Sequence, residues 1–168
     1  WDELRKLRFE NIKKLGLADE DWNLFKDKLL PPWDSLSKEE KADWTLKMEV
    51  YAAMVDNLDQ NIGKLLNYLG TTDQLENTVV IFLSDNGGEN MDVGKMPFTV
   101  KRNEGTVGTA GSMEAYSKKW AQVSNSPLRS YKSSPYEGGT ATPFIIRYPG
   151  QKDSGKVLEG GAHLVDLM

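Results

Sequence analysis

The stretch Thr78-Val79-Val80-Ile81-Phe82-Leu83-Ser84-Asp85-Asn86-Gly87 decides the fold, because an unbroken apolar run ends there in polar residues. The apolar residues do not alternate with polar ones, which is typical of a strand buried on both faces, as in a parallel sheet covered by helices. Fully burying each such side chain is worth about 1.5–3 kcal/mol, so exposing either face would be unfavourable. We therefore predict an interior strand over residues 78–84, flanked by helices.

Helical patterns precede this strand. Ser37 and Glu40 have the spacing of a capping box, which marks a helix start. Apolar residues then recur at helical spacing until Gly70, and we expect this stripe to pack in the core: Leu46, Val50, Met54, Leu58, Ile62, Leu65 and Leu69. A shorter amphipathic helix is predicted over residues 2–15, with Gly16 as its stop and four apolar residues near one face: Leu4, Leu7, Ile12 and Leu15.

A second strand is predicted over residues 144–148, ending at Pro149-Gly150. Helices that feed buried strands indicate an α/β layer architecture. Between the two strands, residues 85–129 are rich in Gly, Ser, Thr and Asn and show poor periodicity. A stretch of this length without clear elements is usually functional or locally disordered.

The amino-acid composition limits the kinds of site and partner that this chain can have. The 168 residues suffice for one domain, which would bury roughly 70% of its unfolded surface. There is no cysteine and one histidine, His163, which excludes disulfides and most zinc sites. The net charge of -4 gives no electrostatic reason to expect nucleic-acid or anionic-membrane partners. No apolar run approaches the ~20 residues that span a bilayer.

Asp85 and Asn86 lie at the carboxyl end of the predicted strand, where ligands bind in open α/β sheets. A carboxylate and an amide carbonyl are hard oxygen donors, which suit calcium or magnesium. The alternative is a tight turn, since Asn-Gly is a strong hairpin signal. No second alternating strand follows directly, which argues against a hairpin.

A lysine, Lys132, precedes the turn Glu137-Gly138-Gly139 by a few residues. Its ammonium could hold an anion as a compact point charge. The alternative is a solvated surface lysine, and the lysine by itself does not decide between the two.

Together these segments resemble the sulfatase family. Its members carry Ser-Asp-Asn-Gly after a buried strand, then a lysine a few residues before Glu-Gly-Gly, then an apolar strand ending in Pro-Gly. This chain has Ser84 to Gly87, Lys132, Glu137 to Gly139, and residues 142–150 in that order. Residues 48–56, 116–121 and 124–132 are similar to the bacterial arylsulfatase branch, so the resemblance covers nearly the whole chain.

The resemblance implies an alkaline-phosphatase-like or sulfatase-like fold, with a sheet sandwiched by helices and present here as a partial domain. Residues 1–168 would be a fragment of one catalytic domain, without its upstream nucleophile-bearing part and its downstream end. The implied enzyme hydrolyses a sulfate ester of a small molecule or glycan with a formylglycine nucleophile and a calcium ion. Asp85 and Asn86 would be metal ligands and Lys132 would contact the substrate sulfate. A periplasmic or secreted location is implied by the resemblance alone.

The family makes its nucleophile from the first residue of a Cys/Ser-x-Pro-x-Arg motif, and this chain has no match to that motif. Asn125-Ser126-Pro127-Leu128-Arg129 has the Pro and Arg spacing, but an Asn occupies the first position and cannot be oxidised to the aldehyde. His163 is expected to be structural. Two alternatives remain: a non-catalytic relative or interaction domain, and a phosphatase or phosphodiesterase, which tends to have His where this chain has Asn86.

Overall fold

The computed structural model describes residues 1–26, 28, 30–92, 105–152, 154–158, 160–161 and 163–167. Four helices and two strands are found there: α1 (Asp2–Lys14), α2 (Lys38–Thr71), β1 (Val80–Leu83), α3 (Ser117–Ser124), α4 (Glu137–Thr140) and β2 (Phe144–Arg147). Short 3-10 turns lie at Trp33–Ser35, Leu75–Asn77 and Leu164–Leu167. Residues 93–104 of the predicted irregular stretch lie outside the described residues. Among the described helices, none is both long and apolar enough to cross a membrane.

Helix α1 has the predicted extent, but its buried face differs from the predicted one. Arg5 and Phe9 are its buried residues, whereas Leu7 and Leu15 are exposed. The reason is that the Arg5 guanidinium is used internally, with Nη2 donating to the Phe25 carbonyl at 2.7 Å. Gly16 follows the helix with φ at +69°, a conformation that favours glycine and confirms the predicted stop.

Helix α2 begins as predicted. The Ser37 Oγ accepts a hydrogen bond from the Glu40 amide at 3.1 Å, and the Glu40 Oε2 accepts one from the Ser37 amide at 2.9 Å. The prediction that the apolar stripe packs in the core is wrong over most of its length, since Leu58 is 49% exposed and Leu65 is 54% exposed. The buried residues of α2 all lie near its start: Trp44, Lys47 and Met48.

The core forms where the start of α2 meets α3 and Trp1, the residue just before α1. Its buried members are mainly aromatic: Trp1, Trp44, Met48, Tyr116, Trp120, Ala121 and Val123. The Trp120 indole donates to the Trp44 carbonyl at 2.8 Å, and the rings of Trp1 and Trp120 meet edge to face at 5.6 Å between centroids. Helix α3, which sequence periodicity did not reveal, therefore supplies much of the core.

Strand β1 lies where a strand was predicted, but its surroundings differ. It pairs antiparallel with β2, with Val80 opposite Arg147 and Leu83 opposite Phe144. Ile81 is 39% exposed and Phe82 is 38% exposed, so burial on both faces in a parallel sheet is wrong for this chain. The described residues form a mixed helical structure with a two-stranded sheet, and the predicted sheet sandwiched by helices is not seen. No strand residue belongs to the buried aromatic cluster found among the described residues.

Candidate functional site

The loop after β1 carries the two predicted metal ligands. Asn86 is half-buried and its Nδ2 donates to the Gly87 carbonyl at 2.8 Å, while Asp85 is exposed. The Ser84 Oγ donates to the Asn86 carbonyl at 2.8 Å, which holds the loop in a tight bend. Within the described part of the chain, neither the Asp85 carboxylate nor the Asn86 Oδ1 accepts a hydrogen bond, so both oxygens are available to a ligand.

Two glycines bring this loop against the segment that contains Lys132. The Gly87 amide donates to the Gly139 carbonyl at 3.1 Å, and the Lys132 amide donates to the Gly88 carbonyl at 3.1 Å. A Cβ atom added to Gly87 would lie 1.8 Å from the Gly138 carbonyl oxygen, so only glycine permits this approach. The hairpin alternative is wrong, because the partner of β1 is β2 and the Asn86-Gly87 turn contacts a distant loop.

The Lys132 side chain is half-buried and ion-paired. Its Nζ lies 2.9 Å from Glu89 Oε2. The hydrogen bond and charge of Glu89, helped by the charge of Asp85, raise the pKa of Lys132 above its ordinary value. Lys132 therefore carries a positive charge at neutral pH and differs from a freely solvated surface lysine. The structure thus brings Lys132 together with the loop of Asp85 and Asn86.

Sequence reasoning did not identify Glu89 as part of this site. Its Oε1 accepts a hydrogen bond from the Met91 amide at 2.9 Å, which fixes the carboxylate beside Lys132. Burial works against its ionisation, but the hydrogen bonds from Lys132 and from the Met91 and Asn90 amides prevail and lower the pKa of Glu89. Its position directly after Gly87-Gly88 was the available signal, because the loop carrying the predicted metal ligands continues into it.

Asn125 joins the two loops, although the sequence suggested only a failed match to the nucleophile motif. Its Oδ1 accepts a hydrogen bond from the Gly88 amide at 3.1 Å. Its Nδ2 donates to the carbonyls of Ser130 at 3.0 Å and Gly138 at 2.7 Å. One side-chain amide therefore fixes the distance between the Asp85-Asn86 loop and the Lys132 loop.

Asp85 and Asn86 could supply part of a metal shell. Calcium takes six to eight oxygen ligands, and these two side chains offer hard oxygens of the kind it prefers. Among the described residues there is no group of three or more His, Asp or Glu side chains that could hold a metal ion. The chemistry of the donors fits calcium, but the rest of a shell has to come from other residues or water.

His163 takes part in a local turn and not in this site. Its Nδ1 accepts a hydrogen bond from the Val165 amide at 3.2 Å, and its own amide donates to the Asp166 Oδ2 at 2.7 Å. These contacts agree with the structural role expected for it. A separate open cavity of about 440 Å³ lies beside Arg129, whose guanidinium stacks 3.6 Å from the ring centre of Tyr136.

Comparison with known proteins identifies the family. The family model for sulfatases matches residues 19–168. Over 165 residues the chain is 40% identical to an uncharacterised sulfatase of Schizosaccharomyces pombe, covering 88% of this chain and 28% of that protein. Over 164 residues it is 34% identical to an arylsulfatase of Klebsiella aerogenes, covering 94% of this chain and 35% of that protein. A sulfatase of Formosa agariphila is 35% identical over 108 residues, covering 60% of this chain and 14% of that protein.

The chain spans about a third of the length of the first two of these relatives. The matches include the segment from Ser84 to Gly139 that the structure folds into one loop junction. Since the family model covers all of the sequence after residue 18, the chain belongs to the sulfatase family.

Proposed function

We propose that the protein containing this chain hydrolyses the sulfate ester of an aryl sulfate, another small molecule or a glycan, and that the loop junction forms one side of its active site. One observation carries this proposal: the loop of Asp85 and Asn86 is hydrogen-bonded directly to the loop of Lys132, through Gly88 and Gly139. The Asp85 carboxylate is near enough to the Lys132 ammonium for its charge to raise the pKa of Lys132, so a candidate oxygen ligand and a cation are neighbours. A sulfate ester needs both, since its oxygens are anionic and its sulfur must be held for attack.

Asp85 and Asn86 would hold a calcium ion. Such an ion acts as a Lewis acid that polarises an oxygen of the bound group and orients it. Asp85 supplies an anionic oxygen and Asn86 a neutral one, and the bend stabilised by Ser84 keeps the two next to each other. Among the described residues, the Asp85 carboxylate and the Asn86 Oδ1 accept no hydrogen bond, which leaves these oxygens for the ion.

Lys132 would bind an oxygen of the sulfate group and stabilise the charge that develops while the S–O bond breaks. A preorganised charge aimed at such an atom is among the largest contributions to catalysis. The ammonium has three donors, and Glu89 uses one of them. Among the described residues nothing else accepts from this ammonium, so two N–H groups remain for the substrate.

We propose that the nucleophile is a formylglycine formed outside these 168 residues. Ser126 is an oxidisable residue within the near-match, one place after its first position, but it is buried and makes two hydrogen bonds. Its Oγ donates to the Gln122 carbonyl at 3.1 Å and accepts from Arg5 Nε at 3.3 Å. A hydroxyl committed in this way cannot attack a substrate, so the chain by itself is expected to lack turnover.

Turnover of a chromogenic aryl sulfate by the whole protein and its Lys132→Ala variant tests the proposal. Removing one preorganised electrostatic donor is expected to lower kcat on the order of 10²–10³. Lys132→Arg should restore little, because a planar guanidinium does not replace a compact ammonium. Lys64→Ala, on the exposed face of α2, is the matched control and should retain activity.

Two results would contradict the proposal. An active Lys132→Ala enzyme would remove this lysine from the site. A whole protein that has no Cys/Ser-x-Pro-x-Arg motif and does not cleave the aryl sulfate would instead support a non-catalytic member of the family.

A further inference from the structure

The carboxylate of Glu89 occupies a fixed position next to the cation that would bind sulfate. Its Oε2 lies 2.9 Å from Lys132 Nζ, and its Oε1 is held by the Met91 amide at 2.9 Å. The Glu89 side chain is only 25% exposed. Because it is anchored at both oxygens, it presents a permanent negative charge beside the ammonium and does not swing freely into water.

The substrate and the product of sulfate-ester hydrolysis differ in charge. Water converts R–O–SO₃⁻ into R–OH, SO₄²⁻ and a proton, so the ester is a monoanion and the released sulfate a dianion. The energy between charges is proportional to their product. A carboxylate near the bound group therefore repels the dianion about twice as strongly as the monoanion, and this offsets the equally charge-dependent preference of the Lys132 ammonium for the dianion.

We propose that Glu89 is a specificity-determining residue, which shifts the selectivity of the Lys132 site away from dianionic oxyanions and toward monoanionic sulfate esters. The inference rests on the proposed function. It assigns two consequences to one side chain: release of inorganic sulfate after hydrolysis, and rejection of phosphate monoesters. Phosphate monoesters are mostly dianionic at neutral pH, since their second pKa is about 6.

The test compares Glu89→Gln with the unmodified whole protein. Glutamine keeps the length of the side chain and an acceptor for the Met91 amide but removes the charge. The inhibition constant of inorganic sulfate is expected to fall about tenfold, and that of inorganic phosphate likewise, since one charge close to the bound anion is removed. The KM of a chromogenic aryl sulfate should fall by about threefold or less, because the monoanion gains less.

Two further variants act as controls. Glu76→Gln also removes a paired carboxylate, that of the Arg147–Glu76 ion pair, but at the start of the sheet. It should leave the sulfate inhibition constant unchanged. Glu89→Asp keeps the charge and should keep the discrimination. Equal changes in the sulfate inhibition constant and the aryl-sulfate KM of Glu89→Gln would overturn the inference.

Calorimetric titration with sodium sulfate separates this inference from the proposed function, because it requires no turnover. Tighter sulfate binding by Glu89→Gln supports the inference even if no aryl sulfate is cleaved, a result that would count against the proposed function alone. Turnover with equal sulfate affinity in both proteins overturns the inference and leaves the proposed function standing. Absence of both binding and turnover overturns both.

Discussion

Asn125 uses every hydrogen-bonding group of its side-chain amide to join two segments that are distant in sequence. Its acceptor serves Gly88 and its two donors serve Ser130 and Gly138. No other side chain of similar size can accept from one amide and donate to two carbonyls in this arrangement. A carboxylate cannot donate, and an aliphatic side chain can neither donate nor accept. Asn125, the first residue of the near-match to a nucleophile motif, thus has a structural role: it holds the two loops together.

Replacing Asn125 by Asp is expected to separate the two loops. A carboxylate would face the Ser130 and Gly138 carbonyls, and leaving such buried acceptors unpaired costs about 1–3 kcal/mol of unfolding free energy. In the whole protein, kcat/KM for an aryl sulfate should fall as well, since Lys132 loses its position relative to Asp85. Urea denaturation and steady-state kinetics measure the two effects.

Asn61→Asp is the matched control for this change. Asn61 lies on the exposed surface of α2, and its side-chain hydrogen bonds to described residues, Asn57 and Lys64, stay within its own helix. It should alter neither the unfolding free energy nor the kinetics appreciably. An Asn125→Asp protein with unchanged stability and kcat/KM would show that the Asn125 side chain does not hold the two loops together.

Helix α2 is stabilised mainly at its first turns, although it extends from Lys38 to Thr71. The capping box lies immediately before the residues that enter the core, so the start of the helix and the tryptophan cluster support each other. Lys47 contributes there, being 8% exposed and paired with Asp43 at 3.1 Å and Glu114 at 3.3 Å. Burial opposes the charge of Lys47, but these two carboxylates prevail and raise its pKa.

Removing the cap by Ser37→Ala is expected to lower the unfolding free energy by about 1 kcal/mol, because the Glu40 amide loses its acceptor. Thermal unfolding followed by circular dichroism at 222 nm provides the measurement. Ser37→Thr retains the hydroxyl and should lose much less. A Ser37→Ala protein as stable as the parent would show that core packing alone defines this helix start.

The whole chain exposes more surface than a compact domain of its length. Its solvent-accessible surface is 12065 Å², whereas the size scaling of monomeric proteins gives about 8,300 Å² for 168 residues. The chain therefore buries less than the predicted fraction, roughly 70%, of its unfolded surface. The excess includes apolar side chains of the later part of α2 and of β1, such as Leu58, Leu65 and Ile81. Their exposure leaves two apolar faces uncovered among the described residues.

Calcium binding should likewise depend on residues beyond these. The 168-residue chain, checked for helix content by circular dichroism, is expected to bind calcium with a dissociation constant of about 1 mM or weaker, since Asp85 and Asn86 would supply only two of six to eight ligands. Isothermal titration calorimetry measures this. In the whole protein, Asp85→Asn should raise the calcium concentration that gives half-maximal activity. Tight, stoichiometric binding by the 168-residue chain would contradict the expectation.

The sequence by itself determined the features that depend on near neighbours. The capping box of Ser37 and Glu40, the stop at Gly16 and the location of β1 follow from residues within a few positions of one another, and each was predicted correctly. The order of the Ser-Asp-Asn-Gly tetrad, Lys132 and Glu-Gly-Gly also sufficed to predict the family.

Only the tertiary structure decided which distant residues meet. Glu89 and Lys132 are 43 positions apart, and Gly88 and Asn125 are 37 apart, so no periodic pattern connects them. Their contact depends on the close approach of main chains at Gly87 and Gly138, where any side chain would collide. The antiparallel pairing of β1 with β2 was also decided only by the tertiary structure. A run of apolar residues indicates a strand but does not indicate which strand lies beside it.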